Sequence, residues 1–381
     1  MKDFSFSLMQ NITFGAGSVG RLPDLLSDRG LDTVLVVTDA MLVQLGFARR
    51  ITQALEERGI AYTVFSEVEP NPSIETVNKA ADVFAACGAR GIVALGGGSP
   101  MDVAKAVGVL AAHGGAITDY EGLGKVPGKT VPVVAIPTTA GTGSEVTASS
   151  VVTDHARHFK FSIVSPEIIP DEAILDPELI LSLPRSVAAS TGVDAIVHAI
   201  ESYISLEATP FTDAMAEKAL ELLGKHIRAF AADRSDLDAA CGMMLGSNFA
   251  GVAFARAKLG NVHAMAHPLG GYFNIPHGVA NAVLLPVVME FNAPYAPEYK
   301  LERIYRALAG DEHGPFRTEQ LAAAIRTLCA ELDIPKNLTE LQVDPALIPN
   351  MAEDAMKSGN VRVNPRPTTQ ADMAELFRQA M

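Results

Sequence analysis

The sequence predicts an α/β region with a parallel sheet, followed by an all-helical region. Strand and helix signals alternate in the first half of the chain, whereas strand candidates become rare after about Ser186. The length of 381 residues is also more than one hydrophobic core usually serves. Prolines interrupt the pattern in Asp176–Ser186, so we place the boundary there and expect domains at 1–182 and 183–381.

In the first region, nearly continuous apolar segments alternate with amphipathic ones. The predicted strands lie in Thr33–Asp39, Ala61–Glu67, Gly91–Ser99 and Val131–Glu145, with helices such as Ala48–Arg58 and Ile74–Cys87 between them. Strands that are apolar throughout indicate a parallel sheet covered on both faces. Sheets of this kind bind ligands at the carboxyl ends of their strands.

The second region is rich in alanine and shows the periodicity of helices. The predicted helices are Asp213–Phe230, Ala239–Ala257, Pro297–Leu308, Thr318–Leu332 and Asp344–Ser358. We therefore expect this region to be all-α.

Composition and charge narrow the expected partners and compartment. The formal net charge of -14 disfavours nucleic acid and anionic membranes as partners. The 3 cysteines form no CxxC pair, which argues against a disulfide framework and fits a reducing compartment. We see no signal peptide and no apolar run near the ~20 residues that span a bilayer. These features predict a cytoplasmic protein.

Two glycine-rich turns follow predicted strands. In "GGGSPMDVAKAVGVL", Gly97, Gly98 and Ser99 let the backbone approach a ligand, and the helix that follows offers unpaired N–H groups to a phosphate. Asp102 is either a helix-favouring acid or a ligand contact. In "TTAGTGSEV", hydroxyl donors are available on Thr138, Thr139, Thr142 and Ser144. The alternative is that both are only tight strand-to-helix turns.

The occurrence of two such turns in successive units of one sheet favours a nucleotide as the bound ligand. Neither turn matches the G-x-G-x-x-G fingerprint or the P-loop pattern. Asp39 ends the predicted strand "LVVTD", where an acid can accept from the 2′-hydroxyl of an adenosine ribose and repel a 2′-phosphate. It is equally suited to cap the next helix.

Histidines and one acid recur at helical spacing in the second region. Asp194 and His198 are four residues apart, as are His263 and His267, and His277 follows after Pro276 at the head of a new segment. Three imidazoles and one carboxylate could close around one divalent cation, and this donor set favours Fe(II) or Zn(II). The alternative is a polar core whose hydrogen bonds are satisfied.

Four segments carry a resemblance to a known family: "GGGSPMD", "IPTTAGTGSEVT", "TGVDAIVHAIESYIS" and "NVHAMAHPLGGYFNIPHGVANAVLLP". The sequence resembles the iron-containing (group III) alcohol dehydrogenases along nearly its whole length. The resemblance implies a dehydroquinate synthase-like fold, with a Rossmann-like domain before an all-helical one, and it implies NAD(P), Fe(II) and a homodimer.

The resemblance also implies site residues. The implied metal ligands are Asp194, His198, His263 and His277. His267 matches a histidine near the substrate that is not a ligand, and it would act as a proton relay or as a pocket residue. Lys160 matches a lysine that reaches the cofactor ribose, and Phe254 lies near the implied substrate pocket. The two glycine-rich turns match the cofactor-binding segments.

We therefore predict hydride transfer between NAD(H) and a small primary alcohol or aldehyde. The competing functions are those of glycerol dehydrogenase, a metal-independent maleylacetate reductase, a dehydroquinate synthase-type lyase and a non-catalytic binding protein. The lyase should need several basic residues for its substrate, and Asn261–Asn281 contains no lysine or arginine. The maleylacetate reductase would not need all four ligands.

Overall fold

The structure is a computed structural model that describes residues 4, 6, 10–157, 159–309 and 316–381. By their contacts, these residues divide into two units. The sheet unit comprises residues 10–139 and 143–180, and the helical unit comprises residues 140–142 and 181–381 together with Phe4 and Phe6.

The described residues form nine strands: β1 (Asn11–Phe14), β2 (Thr33–Val37), β3 (Ala61–Phe65), β4 (Gly91–Gly96), β5 (Gly122–Leu123), β6 (Val133–Pro137), β7 (Ser149–Asp154), β8 (Phe159–Val164) and β9 (Glu172–Leu175). The helices are α1 (Leu22–Asp28), α2 (Ala40–Gln44), α3 (Phe47–Glu57), α4 (Ile74–Ala86), α5 (Gly98–His113), α6 (Arg185–Ile204), α7 (Pro210–Ala232), α8 (Leu237–Ala257), α9 (Asn261–Phe273), α10 (His277–Asn292), α11 (Glu298–Ala309), α12 (Glu319–Glu331), α13 (Ile348–Met356) and α14 (Gln370–Gln379). Short 3₁₀ turns link several of them.

A six-stranded parallel sheet, ordered β1-β9-β6-β4-β2-β3, organises the sheet unit. Successive side chains of its strands enter two different cores. Leu35 and Ile92 pack with α4 and α5, whereas Val36 and Val93 pack with α1 and α3. Both faces of the sheet are therefore covered by helices, which explains why its strands are apolar throughout. The predicted parallel sheet is confirmed.

A second, three-stranded sheet with the order β5-β8-β7 was not predicted. β7 pairs antiparallel with β8, and their side chains alternate between buried and solvent-facing positions. β1 and β9, at one side of the large sheet, were also missed. β1, β5 and β9 have only 4, 2 and 4 residues, and β7 and β8 are partly polar, so the apolar signal of these strands is weak.

All five helices predicted in the second region are present as α7, α8, α11, α12 and α13. α13 is shorter than the predicted Asp344–Ser358. Asp344 caps a 3₁₀ turn over Pro345–Leu347, and the α-helix begins only at Ile348. The helix-rich second region is therefore as expected, and the bounds of this element are corrected.

Among the described helices, α8 alone is long and apolar enough to cross a membrane by length and composition. It packs against α6 and α7, and 67% of its most apolar window is buried. Gly242 and Gly246 allow this packing, because a Cβ at either position would lie within 3 Å of a side chain on α7. The burial is that of a core helix.

Candidate functional site

Three helices of the helical unit carry the predicted metal residues. Asp194 and His198 lie one turn apart on α6, and His263 and His267 lie one turn apart on α9. Asn274 ends α9 in the left-handed conformation (φ 54°), and α10 begins at His277 directly after Pro276. The predicted helical spacings and the new segment at His277 are confirmed.

Asp194, His263 and His277 form a compact three-residue group, in which the candidate ligand atoms lie within 4.8 Å of one another. Oδ1 of Asp194 is 3.8 Å from Nε2 of His263 and 3.9 Å from Nε2 of His277. Two atoms that are each ~2.1 Å from one ion lie at most ~4.2 Å apart. The two separations from Asp194 therefore fit ligation of a single cation. The His277 side chain is 43% exposed, which leaves one side of the group open.

Asn281 lies at the centre of this group. Its amide nitrogen donates to Oδ1 of Asp194 (2.6 Å) and lies 3.1 Å from Nε2 of His263 and 3.2 Å from Nε2 of His277. Two N–H bonds thus face three acceptors, while the buried Oδ1 of Asn281 has no hydrogen-bond partner among the described residues. Three electron-pair donors converging on one point, beside an unpaired oxygen, fit a divalent cation.

The charge states of the group also suit a metal. Burial alone would raise the pKa of Asp194, but the neighbouring imidazoles lower it below its ordinary value. Burial lowers the pKa of His263 well below its ordinary value. A carboxylate beside a neutral imidazole is the combination that ligates a cation.

His198 is buried beside the three-residue group but is not a member of it. Its ring stacks on His263 at 4.7 Å and on Phe254 at 4.3 Å between ring centroids. Its Nδ1 donates to the carbonyl oxygen of Gly141 (3.1 Å), so Nε2 carries the lone pair. Only glycine fits at position 141, because a Cβ there would lie 2.7 Å from Thr191. Ligation by His198 stays a prediction.

His267 is exposed and also lies outside the three-residue group. Its ring is 5.7 Å from that of His277 between centroids, with an interplanar angle of 19°. This position is beside the metal group rather than within it. The proton-relay role stays a prediction.

Glu201, which the sequence analysis did not single out, is buried on α6. One of its oxygens lies 2.6 Å from Nδ1 of His263, and the other accepts from the backbone N–H of Val262 (2.7 Å). Burial raises the pKa of Glu201 to about 7, although hydrogen bonds from backbone N–H groups oppose the rise. The available sequence signal is an acid three residues after His198 on a mostly apolar helix.

The first predicted glycine-rich turn joins β4 to α5 through Gly97 alone. Gly96 has φ +150°, and a Cβ there would lie 2.5 Å from Pro100, so this bend requires glycine. Gly97, Gly98 and Ser99 are partly exposed at the amino end of α5. A strand that runs directly into a helix amino terminus is the arrangement that binds phosphate.

The second turn lies beside the first in the sheet unit. The backbone N–H of Thr138 donates to the carbonyl oxygen of Gly96 (3.1 Å). The hydroxyls of Thr139 and Thr38 are buried without hydrogen-bond partners among the described residues. Both follow strands of the large sheet, where a ligand rich in acceptors would satisfy them. Thr142 lies in the short segment 140–142 that groups with the helical unit.

Lys105 is a second residue that the sequence analysis missed, and it is only 1% exposed. Its ammonium donates to the carbonyl oxygens of Ser144 (2.6 Å) and Ser149 (2.9 Å) and to the hydroxyl of Ser144 (3.0 Å). That hydroxyl in turn lies 3.5 Å from Asp102. Burial raises the pKa of Asp102 and lowers that of Lys105, and the opposite charge of each partner limits both changes. Asp102 and Ser144 thus belong to an internal network.

The remaining predicted cofactor residues lie elsewhere in the sheet unit. Asp39 caps α2, because its Oδ1 accepts from the backbone N–H of Leu42 (2.9 Å). The cap uses one carboxylate oxygen, so it does not decide against ribose binding by the other. Lys160 is exposed on β8 and donates to Oδ1 of Asn71 (2.9 Å).

Comparisons with known proteins agree with this arrangement. Residues 10–177 match the iron-containing alcohol dehydrogenases, and residues 188–381 match the C-terminal region of the Fe-containing alcohol dehydrogenase family. Lactaldehyde reductase of Escherichia coli (strain K12) is 39% identical over 378 residues, which are 98% of each chain. The chain belongs to the iron-containing alcohol dehydrogenase family.

Solved structures related to this iron-containing alcohol dehydrogenase confirm the fold. The crystal structure of a 1,3-propanediol oxidoreductase has a TM-score of 0.96 and 39% identity, with both chains covered completely. Sulfoacetaldehyde reductase of Bifidobacterium kashiwanohense, in complex with NAD+, has a TM-score of 0.90 and 31% identity, over 100% of this chain and 99% of the other. The predicted family, fold class and oxidoreductase class are therefore confirmed.

Proposed function

We propose that this enzyme is an NAD(H)-dependent alcohol dehydrogenase, or aldehyde reductase in reverse, that uses Fe(II) and small primary alcohols. The observation that carries the proposal is the three-residue group of Asp194, His263 and His277 around the Asn281 amide. The names of its relatives, lactaldehyde reductase and 1,3-propanediol oxidoreductase, support a small substrate. The NAD+ complex of sulfoacetaldehyde reductase supports the cofactor.

The proposed metal ligands are Asp194, His198, His263 and His277. A bound divalent cation would supply Lewis-acid polarisation of the alcohol or carbonyl oxygen. The carboxylate and imidazole donors suit Fe(II) and accept Zn(II) as well. Asp194 offsets part of the cation charge, and the exposed edge of His277 faces the side that is open to a small molecule.

In the proposed reaction, an alcohol and NAD+ give an aldehyde, NADH and one proton. The nicotinamide supplies the hydride chemistry. Phe254, stacked on the His198 ring, would line the substrate pocket and exclude water from that side. His267, exposed next to His277, would pass the alcohol proton to solvent, since an imidazole exchanges protons near physiological pH.

The proposed cofactor site comprises the two glycine-rich turns with Asp39 and Lys160. Gly97, Gly98 and Ser99 would bind the pyrophosphate, and the threonine hydroxyls would donate to it. Asp39 would accept from the ribose and disfavour NADP(H), and Lys160 would reach the same ribose. Asp102 and Ser144 would act from the network around Lys105 rather than by direct contact.

We further propose a cytoplasmic homodimer whose partners are small molecules only. Cys87, Cys241 and Cys329 form no disulfide in the part of the chain that the structure describes, which supports a reducing compartment. Size measurement in solution should give twice the mass of one chain, and a monomer would contradict the dimer.

The decisive experiment is NADH oxidation with a panel of short aldehydes, by protein that has been stripped of metal and then reloaded with Fe(II). Turnover should require the metal and should be fastest with one of the short aldehydes. Glycerol with NAD+ tests the glycerol dehydrogenase alternative, and maleylacetate without metal tests the reductase alternative. Binding of NADH and metal without turnover of any substrate would contradict the proposal.

A further inference from the structure

We infer that Glu201 is a positioning residue that orients His263 toward the metal and fixes the first turn of α9. The inference rests on the proposed function, because it assumes that a cation binds to the three-residue group. Glu201 contacts that group through His263, at the far side of its ring and at its backbone N–H. Its role would therefore be exerted through His263.

The hydrogen bonds on both sides of His263 define its tautomer. The Asn281 amide nitrogen donates to Asp194, so its hydrogens, rather than its oxygen, face Nε2 of His263. Nε2 must then carry the lone pair, and Nδ1 carries the hydrogen. That hydrogen points at Oε2 of Glu201, 2.6 Å away. A carboxylate behind a ligating imidazole is the arrangement that holds the ring and raises its basicity.

Glu201 also caps the amino terminus of α9. Gly260 is the residue before α9 and has no side chain to accept from the first N–H groups of the helix. Oε1 of Glu201 accepts from Val262 (2.7 Å) and Oε2 from His263 (3.4 Å), while Asn364 accepts from Asn261 (3.3 Å). An anion at this end is also favoured by the helix dipole.

Gly260 leaves the space that the carboxylate occupies. A Cβ at position 260 would lie 2.9 Å from Oε1 of Glu201 and 2.9 Å from Oδ1 of Asn364. Glu201 lies on α6, the helix that also carries Asp194 and His198. One buried side chain therefore ties the helix with the acidic ligand to the helix with His263.

The test is the affinity of the full-length, metal-free protein for Zn(II) alone, measured by competition with a chelator in wild type and Glu201→Gln. Glutamine has the same size, but it cannot accept with both terminal atoms. We expect Zn(II) to bind about 10- to 100-fold more weakly to the variant. Co(II) added in place of Zn(II) should show an altered visible spectrum, because the geometry of one ligand has changed.

A matched control separates positioning from folding. Asp236 caps α8 in the same unit by accepting from the Ala239 N–H (2.9 Å), and it is not a member of the metal group. Asp236→Ala should lower the melting temperature by about 2–4 °C and leave the Zn(II) affinity within twofold of wild type. If Glu201→Gln does not fold, Glu201→Asp serves instead, since it keeps the charge but withdraws it from His263.

The outcomes separate the two proposals. If wild type binds neither Zn(II) nor Fe(II) stoichiometrically, the proposed function is overturned, and this inference with it. If wild type binds Zn(II) and the Glu201 variant binds it equally well, only the inference is overturned. The same holds if the loss of affinity merely follows the loss in melting temperature, as shown by an equal loss in Asp236→Ala.

Discussion

Lys105 in the sheet unit and Glu201 in the helical unit are buried charges of opposite sign with related tasks. Each lies on a long, mostly apolar helix and is at most 2% exposed. Lys105 donates to backbone carbonyls and hydroxyls around the second glycine-rich turn, whereas Glu201 accepts from the backbone N–H groups that begin α9. In both cases, a long side chain satisfies backbone groups that regular secondary structure leaves unpaired.

The two residues differ in the kind of group that they contact. The partners of Lys105 are backbone and hydroxyl groups, together with the charge of Asp102. Glu201 in contrast holds His263, whose other nitrogen faces the three-residue group. Replacement of Lys105 should therefore disturb the shape of the cofactor turn, whereas replacement of Glu201 should lower the affinity for the metal.

The largest effect is expected from His263→Ala. The substitution removes one of the three converging ligand atoms and leaves Glu201 without its ring partner. We expect loss of the metal and a fall in turnover of at least about a thousandfold, because polarisation of the substrate oxygen is lost. Elemental analysis and steady-state kinetics measure these effects, and NADH binding should stay within about twofold of wild type.

The control for this variant is His226→Ala, which changes a histidine of α7 in the same unit. It should keep its metal. Full metal occupancy in His263→Ala would remove His263 from the ligand set.

His267→Ala tests a histidine beside the metal group rather than within it. We expect the variant to keep its metal and to bind NADH, because the ring lies outside the three-residue group. Turnover should fall by roughly ten- to a thousandfold, the scale of a lost proton relay or a misplaced substrate. Metal loss would make His267 a ligand, while a lower melting temperature with unchanged kcat would make it a packing residue.

Lys105→Met tests the sheet-unit side of the comparison. Methionine is similar in length but cannot donate, so the carbonyl oxygens of Ser144 and Ser149 would lose their charged partner. We expect the free energy of unfolding, measured in urea, to fall by about 2–4 kcal/mol, and NADH to bind roughly tenfold more weakly. Metal content should be unchanged.

Lys218→Met is the matched control, because Lys218 lies on the surface of α7 and pairs with Glu221. Its effect on stability should be below about 0.5 kcal/mol. A loss of metal in Lys105→Met would show that the two buried charges are not separate in function.

Local patterns in the sequence predict only part of this site. The i,i+4 spacing of Asp194 with His198 and of His263 with His267 is a property of one helix, so it can be recognised without the fold. The same holds for the apolar strands that precede the glycine-rich turns. Strands β7 and β8 were not predicted because polar residues interrupt their apolar pattern.

The supporting residues could not be predicted in the same way, because their partners are distant in the chain. Lys105 lies 39 residues from Ser144, Glu201 lies 62 from His263, and Asn281 lies 87 from Asp194. A charged residue on an apolar helix indicates that some partner exists, but only tertiary packing supplies it. The sequence can therefore show that such a residue is unusual, but it cannot identify the residues that it contacts.

The smallest effect is expected from Asp39, which remains both a helix cap and a candidate ribose acceptor. Two substitutions separate the roles, since asparagine caps a helix as well as aspartate does but carries no charge. If the charge repels a 2′-phosphate, Asp39→Asn and Asp39→Gly should both lower the preference for NADH over NADPH by about tenfold, as measured by kcat/KM. If Asp39 is only a cap, Asp39→Asn should keep the wild-type preference, and Asp39→Gly should cost only a few tenths of a kcal/mol in stability. A wild-type enzyme that prefers NADPH would support the cap alone and remove the sheet-unit acid from cofactor selection.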